Sequence, residues 1–176
     1  YAIHNYGELT ITDSSDAKAG KISARGNYNY GKLTLETGTI DACDGNGGYA
    51  VKQCAGGEFV MNGGSISTSL EDDNQVDNGG YDATPLRVDN GAKATINGGT
   101  INNICDFTPA IDNVGELVIN GGNITSIHTT IHSNASVIIN DATVTCNGLA
   151  GVTSHTIYTT GAGKVTINGG TFAHTA

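Results

Sequence analysis

The ten residues Gly115–Ile124, with the sequence GELVINGGNI, contain the unit from which most of the chain is built. A glycine opens five residues in which Leu117 and Ile119 stand at alternate positions, and an Asn-Gly-Gly turn leads to one more aliphatic residue. Equivalent five-residue stretches occur seven times, at 7–11, 31–35, 57–61, 92–96, 115–119, 135–139 and 163–167. Repetition on this scale predicts a solenoid in which each repeat forms one layer.

The repeat length predicts three short strands in each layer. With the last residue of each stretch taken as equivalent, successive repeats are 24, 26, 35, 23, 20 and 28 residues apart. One strand precedes the stretch, as at 110–113, the stretch itself is the second strand, and the third begins after the turn, as at Ile124. These lengths favour an all-β parallel β-helix of about seven coils, with loops absorbing the differences. We expect residues 1–176 to form one domain with one continuous core.

Side chains alternate in direction along a strand, so equivalent residues form ladders along the stack. Leu33, Phe59 and Leu117 are predicted to point into a common apolar interior. The outward column of the middle strand alternates opposite charges over most of its length and contains Glu8, Lys32, Glu58, Lys93, Glu116, Ser136 and Lys164. At the turn, a ladder of side-chain amides is predicted, formed by Asn62, Asn97, Asn120, Asn140 and Asn168.

The net charge restricts the partners. The chain has 17 acidic and eight basic residues and a formal charge of −9. This charge repels a phosphate backbone or an anionic membrane, so we expect no nucleic-acid partner. No run of 18 apolar residues is present, so we expect no membrane insertion. The same charge favours neutral or amino sugars, proteins or calcium-bridged acids over acidic glycans bound directly.

The four cysteines, Cys43, Cys54, Cys105 and Cys146, do not have the close spacing of zinc ligands. Cys43 and Cys54 form the only pair that the coil geometry predicts to be within disulfide reach. The alternative interpretation is that all four are small buried apolar residues, as free cysteine commonly is.

The repeat at 110–124 follows the pattern A-I-x-x-x-G-x-L-x-I-x-G-G-x-I, which resembles that of right-handed parallel β-helix proteins of the pectate lyase-like group. More narrowly, it is similar to carbohydrate-binding β-helix proteins on the surface of clostridia and related gut bacteria. The resemblance covers essentially the whole chain and concerns the scaffold, because such repeats recur in lyases, glycoside hydrolases, adhesins and phage tail proteins. It implies right-handed coils, which the general rule for parallel crossovers also favours. It also implies an extracellular or cell-surface location.

The outward column of the first strand mixes aromatic rings with titratable groups. We predict that it contains His4, Tyr28, Lys52, Asp89, Asp112, His132 and Tyr158, with Phe107, His128 and His155 nearby. Aromatic rings stack on the apolar face of a pyranose, and polar groups beside them bind its hydroxyls. The predicted ligand-binding residues are therefore Tyr28, Asp89, Asp112, His128, His132, His155 and Tyr158. The alternative is a solvated face whose residues have good β propensity.

A second candidate site lies in the insertion of the 35-residue repeat, at 69–82. Its carboxylates are hard oxygen ligands suited to calcium, the one cofactor that the sequence suggests, and the predicted ligands are Asp72, Asp73, Asp77 and Asp82. The spacing does not match an EF-hand loop, and a solvated acidic loop is the alternative. A weaker acidic patch, at 41–46, lies on the preceding coil.

These observations favour a non-catalytic carbohydrate-binding or adhesive module, a segment of a longer bacterial secreted or cell-surface protein. A glycan or a surface ligand is the expected partner. One alternative is a structural stalk or a phage tail or fibre segment without its own ligand, because both ends break within a repeat and would permit end-to-end self-association. A second alternative is a polysaccharide lyase or glycoside hydrolase. Asp89 and Asp112 are predicted at a spacing suited to glycoside hydrolysis, but on a flat face, so no catalytic residue is assigned.

Overall fold

The chain folds into a right-handed parallel β-helix of seven coils. The structure is a computed structural model and describes residues 1–17, 19–42, 48–69 and 83–175. Within these ranges the chain forms 21 strands and no helix. The described part of the chain accordingly contains no helical segment of the length and hydropathy needed to cross a bilayer.

Three parallel sheets of seven strands each run along the stack, and every coil contributes one strand to each sheet. Sheet A consists of β1 (His4–Asn5), β4 (Gly26–Asn29), β7 (Tyr49–Gln53), β10 (Thr84–Val88), β13 (Ile111–Asn113), β16 (Ile131–Ser133) and β19 (Ile157–Thr159). Sheet B consists of β2 (Glu8–Ile11), β5 (Lys32–Leu35), β8 (Glu58–Met61), β11 (Lys93–Ile96), β14 (Glu116–Ile119), β17 (Ser136–Ile139) and β20 (Lys164–Ile167). Sheet C consists of β3 (Lys21–Ala24), β6 (Thr39–Ala42), β9 (Ser65–Thr68), β12 (Thr100–Asn103), β15 (Asn123–Ser126), β18 (Thr143–Asn147) and β21 (Thr171–Thr175).

The repeat pattern is evident in every strand of sheet B but is missing from one strand in each of the other sheets. It marks no third strand in the first coil, where β3 pairs Ile22 with Ile40. In the second coil it predicts Tyr28 in the outward column but gives no apolar alternation for the first strand, where β4 has the sequence Gly-Asn-Tyr-Asn. Because β4 contains no aliphatic residue, its hydrophobic alternation is absent and only its neighbours in the sheet define it as a strand.

The predicted apolar column in sheet B is confirmed. Leu33 pairs with Phe59, Phe59 with Ala94, and Ala94 with Leu117. All four side chains are at most 1% exposed. Burying one large apolar side chain contributes roughly 1.5–3 kcal/mol, so this column and its counterparts in sheets A and C supply the main stabilisation of the stack.

The asparagine ladder at the turn between sheets B and C is confirmed as a continuous chain of amides. Asn97 Nδ2 donates to Asn62 Oδ1 at 2.8 Å, and the next coil repeats this bond at the same distance, from Asn120 to Asn97. Asn140 and Asn168 continue the ladder at 2.7 Å per step. The amides therefore link five successive coils along the axis.

The two glycines of the Asn-Gly-Gly turn have different roles. The second glycine adopts the left-handed region, with φ of 101° at Gly122. The first is not among the positive-φ glycines, but a Cβ on Gly121 would lie 2.8 Å from the Asn97 carbonyl oxygen of the preceding coil. The first glycine is therefore required by close stacking, and only the second by its backbone conformation.

A second set of polar ladder bonds, which the repeat pattern does not reveal, lies at the corner between sheets A and B. Asn5 Nδ2 donates to Asn29 Oδ1 at 2.7 Å, and Asn29 Nδ2 donates to Gln53 Oε1 at 2.6 Å. Val88 occupies the equivalent position in β10, because it pairs with Gln53. The corner thus buries amides that are satisfied by one another and by backbone carbonyls, as buried polar groups require.

The cysteine prediction is tested in part. Cys54, Cys105 and Cys146 are buried free thiols, in agreement with the interpretation as small buried residues. Cys43, the other half of the predicted disulfide, lies outside the described residues.

Candidate functional site

The outward column of sheet A contains six of the seven residues that were predicted to form it. His4 pairs with Tyr28, and Tyr28 pairs with Lys52. Asp112 pairs with His132, and His132 pairs with Tyr158. Between these two groups, Arg87 and not Asp89 pairs with both Lys52 and Asp112. The prediction was therefore wrong in placing Asp89 in this column.

Asp89 lies instead at the corner between sheets A and B. Its backbone N–H donates to the Gln53 carbonyl at 2.9 Å, as the Val114 N–H donates to the Val88 carbonyl at 2.8 Å. The fourth coil has five sequence steps from Val88 to Lys93, whereas the fifth has three from Asn113 to Glu116. The two additional residues at this corner shift the Asp-Asn pair at 89–90 out of register with the similar pair at 112–113.

Four charged side chains form an ion-pair row across the middle of sheet A. Lys52 Nζ lies 3.5 Å from Asp89 Oδ2, and Arg87 Nε donates to Asp89 Oδ1 at 3.0 Å. Arg87 Nη1 also donates to Asp112 Oδ2. Burial alone would lower the pKa of Arg87, but the hydrogen bond to Asp89 and the charge of Asp112 raise it above its ordinary value. The row contains two cations and two carboxylates, so it has no net charge.

His132 connects the ion-pair row to the last two coils. Its Nδ1 lies 3.0 Å from Asp112 Oδ1, and its Nε2 lies 3.3 Å from Thr160 Oγ1. Because a carboxylate only accepts, Nδ1 carries the proton of this bond. Asp112 and Thr160 together fix the orientation of the imidazole ring, which is an advantage for a ring that supports a ligand.

A pocket of about 360 Å³ lies where the loops from sheet C to sheet A meet the outward face of the last coils. We call it the histidine pocket; its lining consists of Phe107, Pro109, His128, Thr129, His132, Thr153, His155 and Tyr158. Four of the seven predicted ligand-binding residues, His128, His132, His155 and Tyr158, therefore meet in one place. Asp112 lies next to them, in contact with His132.

Three rings in this pocket form a stacked platform. The centroids of His132 and Tyr158 are 5.5 Å apart, those of His155 and Tyr158 are 4.8 Å apart, and both pairs are inclined by 22°. Phe107, which also lines the pocket, is 62% exposed, and Tyr158 is 44% exposed. Large apolar rings at this exposure are available to a ligand.

His128 forms part of the pocket wall and is held in its neutral form. Burial, with a smaller effect from His155, lowers the pKa of His128 below its ordinary value. Its Nδ1 is the one buried side-chain nitrogen or oxygen without a hydrogen-bond partner among the residues that the structure describes. His128 therefore adds no charge to this part of the wall near neutral pH, which suits a ligand without a charge.

Tyr28 lies far from the histidine pocket, in a group of rings that we call the tyrosine cluster, consisting of His4, Tyr6, Tyr28 and Tyr30. Tyr6 and Tyr30 stack at 4.8 Å with an inclination of 8°. The His4 ring lies 5.0 Å from Tyr6, 5.4 Å from Tyr30 and 6.2 Å from Tyr28. Tyr6 and Tyr30 were not predicted as members of this group, although the tripeptide Asn-Tyr-Gly, which occurs at both 5–7 and 29–31, indicates that they occupy equivalent corners.

The predicted calcium ligands Asp72, Asp73, Asp77 and Asp82 lie outside the described residues. Among the residues with described positions, no group of three or more His, Cys, Asp or Glu side chains could hold a metal ion. Of the weaker acidic patch at 41–46, Asp41 and Ala42 are described, and Asp41 is bound by Lys21, Ser67 and Ser69.

Comparison with protein-family models, with curated proteins and with solved structures finds no match for this chain.

Proposed function

We propose that this β-helix is a non-catalytic carbohydrate-binding or adhesive module, and that the histidine pocket binds a neutral or amino sugar of a glycan. The observation that carries the proposal is the stacked platform of His132, Tyr158 and His155 beside the exposed ring of Phe107. A pyranose laid against such rings buries its apolar face, and the polar atoms around the pocket serve its hydroxyl groups.

The hydrogen bonds and ion pairs of the two nearby carboxylates support sugar binding over sugar hydrolysis. Asp89 and Asp112, the pair that the sequence suggests for acid–base work, both accept hydrogen bonds from the same Arg87 guanidinium. Asp112 is also engaged by His132. Glycoside hydrolysis needs one carboxyl group to donate a proton and the other to act as base or nucleophile, and these two carboxylates already serve as ion-pair partners.

The cellular setting belongs to the same proposal. The likeness of the repeat to surface β-helix proteins of clostridia and related gut bacteria, within the pectate lyase-like group, supports a secreted or cell-surface protein of which this module is a part. The charge of −9 supports a glycan or protein partner over nucleic acid. Calcium stays a prediction for the acidic insertion.

The proposal is tested by removing the two exposed rings of the pocket. We expect the double variant Phe107→Ala/Tyr158→Ala to lose about fivefold to a hundredfold in affinity for the glycans that the unchanged protein binds on a glycan array, because each ring supplies roughly 0.5–1.5 kcal/mol of stacking. Isothermal titration with a soluble oligosaccharide from the array measures the loss.

Ile138→Ala is the matched control. Ile138 is a large hydrophobic residue on the outward face of sheet B and is 38% exposed, close to the value for Tyr158. Binding that survives in the pocket variant would refute this location. The absence of any bound glycan, together with mass that increases with protein concentration in light scattering, would favour a stalk, and release of sugar products from a polysaccharide would favour an enzyme.

A further inference from the structure

The tyrosine cluster and the histidine pocket lie on the same face of the β-helix. Tyr28 and His132 belong to one outward column of sheet A and are joined by the pairs Tyr28–Lys52, Lys52–Arg87, Arg87–Asp112 and Asp112–His132. Four strand steps of about 4.8 Å separate them, or roughly 19 Å along the axis. An extended molecule parallel to the axis can therefore contact both.

The surface between the two sites is electrically balanced. It consists of the ion-pair row, in which Lys52 and Arg87 pair with Asp89 and Asp112. All four side chains are between 21% and 26% exposed, so none extends fully into solvent. In a protein of charge −9, this balanced strip accepts an uncharged polymer without desolvating an unpaired charge.

The tyrosine cluster has the composition of a saccharide platform. Tyr6 is 71% exposed and Tyr30 is 38% exposed, so the stacked pair presents aromatic surface to solvent. The Tyr6 hydroxyl lies 3.3 Å from His4 Nε2, which places a phenol and an imidazole together as hydrogen-bonding groups beside the rings. Nearby, Lys52 Nζ lies 5.7 Å from the Tyr28 ring centre and 5.3 Å from that of Tyr49. Because this ammonium group already lies against the ring faces that would attract a cationic ligand, the cluster is suited to a neutral ligand.

We infer that the tyrosine cluster is a second saccharide-binding site, and that it holds the distant part of the same linear, uncharged glycan whose other part lies in the histidine pocket. The inference rests on the proposed function of the pocket. A sugar unit in an extended β-1,4-linked chain is about as long as one coil step, so a chain of about six units reaches from one site to the other. Joining two weak sites through one ligand raises affinity without any new contact.

The experiment uses cello- and chito-oligosaccharides of two to six units as probes, with affinity measured by isothermal titration. We expect the unchanged protein to bind the hexamer of at least one series about tenfold more tightly than the dimer. Tyr6→Ala is expected to reduce the hexamer affinity about fivefold to tenfold and to leave the dimer affinity within about twofold, because the dimer occupies the pocket alone. Tyr6→Phe, which keeps the ring, is expected to restore most of the hexamer affinity.

Tyrosine fluorescence gives an independent readout, because the chain contains no tryptophan. Five of its seven tyrosines, at positions 1, 6, 28, 30 and 49, belong to the first three coils. We expect the hexamer to change this emission and the dimer to change it much less, since the dimer occupies the pocket alone and most of the tyrosines lie at or near the cluster.

The outcomes separate the two proposals. Hexamer binding that is unchanged by Tyr6→Ala overturns the second site and leaves the pocket standing. Equal affinity for the dimer and the hexamer would also overturn the second site and leave the pocket standing. Self-association that Tyr6→Ala abolishes, measured by sedimentation, would assign the cluster to protein contacts and overturn the inference. If the unchanged protein binds no probe here and no neutral or amino sugar on the array, the proposed function fails and the second site fails with it.

Discussion

At the scale of single residues, Asp41 shows how a solenoid accommodates an acidic group on a crowded face. It is 1% exposed, and its carboxylate accepts a hydrogen bond from Ser67 at 2.6 Å and pairs with Lys21 at 3.0 Å. Burial alone would raise the pKa of Asp41, but the hydrogen bonds from Ser67 and Ser69 and the charge of Lys21 lower it below its ordinary value. The charged form therefore contributes to stability.

We expect Asp41 to make the fold sensitive to acid. Because its pKa is lower in the folded chain than in the unfolded one, its stabilisation is complete above the unfolded value of about 3.9 and is lost as the pH falls through the lower folded value. Asp41→Asn should lower the free energy of unfolding by about 1–3 kcal/mol at pH 7, since serine hydroxyls and Lys21 lose their charged acceptor. Urea unfolding measures this loss.

The contrast between pH 7 and pH 3 distinguishes the charge from the shape of the side chain. The variant should lose less stability than the unchanged protein over this interval. Asp141→Asn, at an exposed position, serves as the control and should behave like the unchanged protein at both pH values. Equal acid sensitivity of Asp41→Asn and the unchanged protein would contradict the prediction.

At the scale of elements, the coils are joined by polar ladders at two of their corners as well as by the strands. Asn120 donates to Asn97 at 2.8 Å and accepts from Asn140 at 2.7 Å. Asn168 has one ladder bond, to Asn140, at 2.7 Å. All these side chains are exposed, so each bond competes with water and contributes modestly.

The ladder can be tested by comparing an interior asparagine with Asn168. Asn120→Ala should lower the free energy of unfolding by about 1–3 kcal/mol, because two ladder bonds of roughly 0.5–1.5 kcal/mol each are lost. Asn168→Ala, which removes the same side chain but one such bond, should cost about half as much. Equal effects in denaturant titrations of the two variants would show that the amides act singly and not as a ladder.

At the scale of the whole molecule, the interior is one column whose middle is better protected than its first coil. In sheet B, Leu9 pairs with Leu33, and Leu117 occupies the same column four coils further on. Leu117 is 1% exposed, whereas Leu9 is only partly buried. The same residue type therefore occurs in the same column with different burial.

This difference predicts unequal effects of the same substitution. Leu117→Ala should lower the free energy of unfolding by about 2–5 kcal/mol, because it leaves a cavity between two coils. Leu9→Ala should cost less than half as much, since its side chain gains less from burial. Urea titrations of the two variants give the comparison, and equal losses would contradict a single column with a protected middle.

The sequence predicts the column because burial and strand alternation act at every coil, so Leu33, Phe59 and Leu117 carry the same signal. It does not predict the position of Asp89. The corner after Val88 has two more residues than the corner after Asn113, and the apolar repeat does not show in which corner of a coil the additional residues lie. Five of the eight residues that line the histidine pocket were predicted to lie near one another, but Pro109, Thr129, Thr153 and the shape of the pocket were not. Phe107, His128 and His155 come from loops of different lengths, and only the stacking of the coils brings them together.

The turn ladder also has a direction. Every amide from Asn168 to Asn62 donates toward the preceding coil, and the last N–H group is received by the Glu36 carboxylate at 2.8 Å. The aligned amide dipoles thus present their positive end to an acid, as the free N–H groups of a helix N-terminus do. If two of these coils were exchanged in the sequence, every asparagine would still donate toward the preceding coil. A neutral residue in place of Glu36, however, would remove the negative charge that faces the positive end of the whole ladder.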